Sequence, residues 1–189
     1  VGRPVNRQEK SFGKNVGTAA HPASYGHQAM ETTMTTQPAN EKELVLDRLI
    51  DAPREKVYRC WTEPQLITQW FAPKPWTTPR VDVDVRPGGS CSVVMADPEG
   101  NEYPNPGVYL EVVPNEKLVF TDAFSAGWQP TDKAFFTCEL TFADEGGKTR
   151  YIARAKHWTV KERQEHEKMG FHEGWGICAD QLEALAKTL

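Results

Sequence analysis

Met169-Gly170-Phe171-His172-Glu173-Gly174-Trp175-Gly176 sets three glycines inside a segment that otherwise reads as helix from residue 160 to residue 189. Within it His172, Trp175, Gly176, Ala179, Leu182 and Ala186 recur at the i, i+3, i+4, i+7 spacing that puts side chains on one helix face. An interior glycine weakens a helix by roughly 1 kcal/mol relative to alanine, so several together call for a packing reason or a functional one. A face of small residues around one indole lets a helix lie close against a curved sheet, or leaves space beneath it for a ligand. On this reading His172 and Trp175 face the sheet, and Gly176 permits close approach.

Upstream of that helix the pattern changes to strands. Val81, Val83 and Val85 alternate with Asp82, Asp84 and Arg86, as in a strand with one wet face. Strand segments follow at residues 90–96, 102–113, 117–124, 135–142 and 149–156. Short turn sequences such as Pro87-Gly88-Gly89 and Asp144-Glu145-Gly146-Gly147 separate them. Consecutive strands on short turns predict an antiparallel meander. Ahead of it, residues 44–50 read as a first strand, and Asp51-Ala52-Pro53 as a helix start capped by Asp51. One short helix then runs through Val57, Tyr58, Cys60 and Trp61, and a second over residues 65–71 stops at Pro73 and Pro75. The result is an α+β chain in which the long C-terminal helix is the element able to cover one face of the sheet.

Composition narrows the function classes. A chain of 189 residues suits one domain with a full core. The net charge of -4, with cations spread along the chain, argues against nucleic acid as a partner. No apolar run approaches the roughly 18 residues of a membrane span and no secretory leader is apparent, so the expected setting is cytoplasmic. Cys60, Cys91, Cys138 and Cys178 stand far apart and read as buried thiols rather than disulfide or metal ligands. Residues 1–40 are rich in Gly, Thr, Ala, Asn, Gln and Pro without hydrophobic period, and read as a disordered tail or as a vector-derived or upstream extension. A single domain is expected over residues 41–189.

Several of these pieces together resemble one family. They are Asp51-Ala52-Pro53 through Val57 and Trp61, Trp70-Phe71, Arg86-Pro87-Gly88-Gly89, Met95, Asp97 and Gly100-Asn101-Glu102-Tyr103. Gly107-Val108-Tyr109, Glu111, the segment 117–121, Gly147-Lys148-Thr149 and the closing run 169–175 complete the series. In this order they resemble the SRPBCC superfamily (START-like, Bet v 1-like), and more narrowly its branch of activator of heat-shock protein 90 ATPase homologue-like proteins. The resemblance implies a helix-grip fold, a curved antiparallel sheet wrapped around a long C-terminal helix. It also implies a space between the two that side chains fill or a small molecule occupies.

The aromatic side chains offered to such a space are Trp61, Trp70, Phe71, Trp76, Tyr109, Phe120, Phe124, Trp128, Phe136 and Trp175, with His172 as a polar member able to orient a ligand group. For any one ring, plain core packing is the simpler reading. Trp76 and Trp128 sit among Pro and Gly in loops and are placed at the entrance. His157 and His172 read as core histidines satisfied by backbone, and His166, beside Glu162 and Glu165, as part of a solvated helix face. No metal or cofactor is expected, since Gly88-Gly89 lacks the rest of any phosphate-binding motif, and no nucleophile motif is present. The leading function is therefore a binding module for a hydrophobic or aromatic, lipid-like molecule. A cyclase- or aromatase-type enzyme working through His172, Tyr109 or Glu111 is the alternative. A co-chaperone that stimulates a heat-shock chaperone ATPase comes third, because no segment resembles the additional N-terminal domain of the eukaryotic co-chaperones in that branch. A homodimer is compatible with a domain of this size.

Overall fold

The computed structural model describes residues 38–189, so the expected tail lies almost entirely outside the described residues. Strand β1 (Glu43–Ile50) leads into helices α1 (Arg54–Thr62) and α2 (Pro64–Trp70). The strands β2 (Thr77–Val83), β3 (Cys91–Ala96), β4 (Glu102–Asn105), β5 (Val108–Val113) and β6 (Lys117–Thr121) follow. After them come the short β7 (Phe124–Ser125) and β8 (Gln129–Pro130), then the long β9 (Thr137–Glu145) and β10 (Lys148–Lys156). Two helices close the chain, α3 (Val160–Lys168) and α4 (Phe171–Ala186). Asp51 does not cap α1. The cap position is Pro53, with no side-chain bond, because Asp51 is drawn away to Lys148 (3.1 Å) and Lys187 (3.2 Å).

Five strands form an antiparallel sheet in the order β1-β10-β9-β6-β5, and β2-β3-β4 form a second. Main-chain bonds stitch the two together. Gly88 N–H donates to Tyr109 O (2.7 Å), Tyr109 N–H to Gly89 O (3.0 Å) and Cys91 N–H to Gly107 O (2.9 Å). The segment expected to be a simple turn therefore also continues the sheet past β5. Gly89 is required there, since a Cβ would lie 1.9 Å from the Asp84 carbonyl oxygen. Breaks in register in β2 and β5 add the local twist that bends a sheet.

The concave face presents Leu44, Leu46 and Ile50 of β1, Tyr151, Ala153 and Ala155 of β10, Cys138, Leu140 and Phe142 of β9, and Leu118 of β6, all buried in one core with Phe171, Ala179, Leu182 and Ala186 of α4. This is the helix-grip arrangement. Ala153 and Ala155 of β10 and Ala179 and Ala186 of α4 are the small members of this core.

The expected single helix is two. Gly170 adopts φ 92°, a left-handed conformation that costs glycine nothing, and α4 starts afresh after it. Thr159 caps α3 in a reciprocal bond pair with Glu162. The restart changes which residues face the sheet. Phe171 anchors the buried row with Ala179, Leu182 and Ala186, with Trp175 partly buried beside it, while His172 turns outward, its side chain 58% exposed and its Nε2 3.8 Å from Glu167. The placement of His172 beneath the helix is thus corrected. Gly176 is covered by Arg48, whose Nη2 would stand 3.3 Å from an added Cβ, and nothing approaches Gly174.

Two substitutions test these assignments. Gly174→Ala is expected to stabilise the fold by about 0.5–1 kcal/mol, because it removes backbone freedom from the unfolded chain and meets no neighbour. Gly89→Ala is expected to cost more than about 2 kcal/mol by forcing the sheet junction apart. Denaturant midpoints measure both, and an unchanged midpoint for Gly89→Ala contradicts the role given to that junction.

Candidate functional site

Trp61, Trp70, Phe71, Tyr109 and Phe120 converge where α1 and α2 meet the concave face. Trp61 is the common member. Its ring stands edge-on to Trp70 (centroids 4.7 Å) and Phe71 (6.0 Å), and within 6.1 Å of Phe120 and 6.4 Å of Tyr151. Tyr109 joins through Phe120. The Trp70 indole N–H donates to Cys60 O at 2.9 Å. The Trp61 Nε1, equally enclosed, has no hydrogen-bond partner. It lies near enough to the Tyr151 hydroxyl to favour its ionised form slightly, yet meets no acceptor at bonding geometry.

Burial dominates the chemistry of this interior. It pushes the Tyr109 and Tyr151 phenols well above their ordinary values, and does the same to the Cys138 thiol. The thiols are held in the protonated form, the opposite of an activated nucleophile. This interior thus combines apolar rings with neutral hydroxyl, thiol and indole groups and presents no charge.

Tyr151 and Phe142 belong to this interior, and both were missed as site candidates. Tyr151 shares an inward row with Thr149, Ala153 and Ala155, a face that strand alternation alone does not identify as the covered one. His172 and Glu111 do not join it. Glu111 is exposed and paired with Lys117 at 2.9 Å.

The remaining expected wall residues separate into other groups. Phe136 and Trp175 pack with Phe135 and Phe171 around two histidines. His157 Nδ1 lies 2.9 Å from Lys42 O, and its Nε2 2.9 Å from His166 Nδ1. A carbonyl only accepts, so His157 carries its proton on Nδ1 and its Nε2 accepts the His166 N–H. His166 is therefore buried at 7% exposure, not part of a solvated face. Its glutamates had suggested water, but Phe135 and Phe136 cover it. They are held there by Asp122, whose carboxylate accepts their backbone N–H groups.

Trp128 is 55% exposed and lies over Gly88 with Phe124 edge-on beside it, so this pair forms an outer patch on the β7–β8 hairpin. Trp76 is half-buried against Tyr103 and lines a separate cleft beside α2. Neither Trp76, Phe124 nor Trp128 is in the ring cluster around Trp61.

The profile of the "Activator of Hsp90 ATPase homolog 1-like protein" family matches residues 51–187, spanning both short helices, every strand after β1, and α3 and α4. The chain belongs to this family. A crystal structure of a Nitrosomonas europaea protein is 43% identical, covering 78% of this chain and 96% of that one, with a TM-score of 0.76. A Mycobacterium smegmatis protein (24% identity, 77% and 90% coverage, TM-score 0.66) and one from Rhodobacter sphaeroides (17%, 81% and 97%, 0.70) share the fold. No curated protein matches the sequence. No helix among the described residues is long and apolar enough to cross a membrane.

In this family member the histidine pair has a measurable consequence. Burial, with a smaller effect from His157, holds the His166 imidazole down to about 4. An unfolded histidine titrates near about 6.5, so between these values the unfolded chain takes up a proton that the folded chain refuses. Stability is full above the upper value and falls as pH drops toward the lower one. The thermal midpoint is expected to fall between about pH 7 and about pH 5, and to fall less in His166→Gln, which keeps an N–H donor and cannot titrate. Parallel pH profiles for the two proteins contradict this assignment.

Proposed function

We propose that the chain is a binding module for a small, flat, mostly apolar molecule carrying one hydrogen-bond acceptor, held between the sheet and the helices that cover it, at the end occupied by Trp61. The observation that carries this reading is the buried, unpaired Trp61 N–H among aromatic rings. A buried donor without an acceptor costs about 1–3 kcal/mol, and a guest carbonyl or ether oxygen recovers that cost. The neutral phenols and thiols nearby favour an uncharged guest. Membership of a family of ligand-binding or co-chaperone-like helix-grip domains supports the same reading.

Native mass spectrometry of protein purified without detergent is expected to show a co-purifying apolar molecule. Trp61→Phe keeps a ring and deletes the donor. It is expected to weaken binding of acetonaphthone, an aromatic ketone, about tenfold while leaving naphthalene binding nearly unchanged. Equal ketone affinity in the two proteins overturns the role of this N–H.

A further inference from the structure

We propose that the cleft between α2 and β2 is a second binding site, built for a small aromatic carboxylate and separate from the interior around Trp61. The cleft is about half open to solvent, has a volume of about 440 Å³ and is lined by Gln69, Trp70, Lys74, Pro75, Trp76 and Thr78 among others. That volume falls in the range of about 300–1,000 Å³ typical of small-molecule pockets.

Its walls are set before any guest arrives. Gln181 of α4 reaches across to the chain leaving α2. Its side-chain oxygen accepts Lys74 N–H (3.2 Å), and its nitrogen donates to Trp70 O (2.8 Å) and Ala72 O (2.9 Å). Trp76 N–H donates to Pro73 O (3.0 Å), and the Trp76 ring leans on Tyr103 of β4 with centroids 5.0 Å apart. A wall already held by these bonds pays little ordering entropy when a ligand binds.

Two features select the guest. Trp76 and Pro75 provide a flat apolar surface at the cleft. The exposed Lys74 has no carboxylate within ion-pair distance among the described residues, so its ammonium is available to an anion. A ring laid on Trp76, with a carboxylate that faces Lys74, uses both. A neutral hydrocarbon leaves the ammonium idle, and a bare inorganic anion leaves the indole uncovered.

Naphthoate and its uncharged counterpart naphthamide test the site by calorimetry and by nitrogen–proton correlation spectra of the whole chain. Naphthoate is expected to shift the backbone amides of Gln69, Lys74, Trp76 and Thr78, and to bind more tightly than naphthamide. Lys74→Gln, a surface change that leaves the fold alone, is expected to weaken naphthoate about fivefold and naphthamide hardly at all. Trp76→Leu is expected to weaken both about tenfold. Naphthoate that moves no resonance of the cleft overturns the proposal, as does Lys74→Gln with unchanged naphthoate affinity. Shifts confined to the Trp61 indole N–H also overturn it while leaving the interior reading intact, so the two proposals fail separately.

Discussion

The packing of the Trp61 indole is the contact on which the interior depends. One ring touches α2 through Trp70, the chain beyond α2 through Phe71, β6 through Phe120 and β10 through Tyr151. Aromatic pairs of this kind contribute about 0.5–1.5 kcal/mol each beyond the area they bury. Their sum locks the two short helices onto the concave face, and that lock leaves the indole N–H without an acceptor. Stability and a waiting donor arise from the same side chain.

The other end of the fold is closed differently. Gly170 breaks the C-terminal helical segment, and the broken-off α3 is tied down by His166, through His157, to the carbonyl of Lys42 just before β1. A polar pair can stand in an aromatic surround because its hydrogen bonds run in one direction toward a carbonyl. The break frees α4 to choose its own phase, so that Phe171 and Trp175 meet the core while Gln181 reaches the chain after α2. The cleft beside Trp76 is thus shaped by the same helix that covers the sheet.

Much of this was legible in the residues. Alternation at Val81 to Val85, and the turn signals between later strands, mark the antiparallel meander, and the order of elements with the family resemblance points to the helix grip. Of the longer set of rings expected to wall one space, Trp61, Trp70, Phe71, Tyr109 and Phe120 lie together. Tyr151 was hidden because an alternating strand does not say which of its two faces is covered. Thr78 and Gln181 were hidden because nothing local distinguishes a buried hydroxyl or a bridging amide from an exposed one.

His172 and His166 mark the boundary between the two kinds of information. Local chemistry decides that residues 160 to 189 are helical and that a glycine can interrupt them, since backbone freedom and side-chain spacing are properties of neighbouring residues. It does not decide the phase on either side of the interruption. That is settled by which rings reach the sheet, and Phe171 against the core sends His172 to solvent while Phe135 and Phe136 enclose His166. Burial of a titratable or hydrogen-bonding group is a property of distant segments brought together, and only the assembled fold determines it.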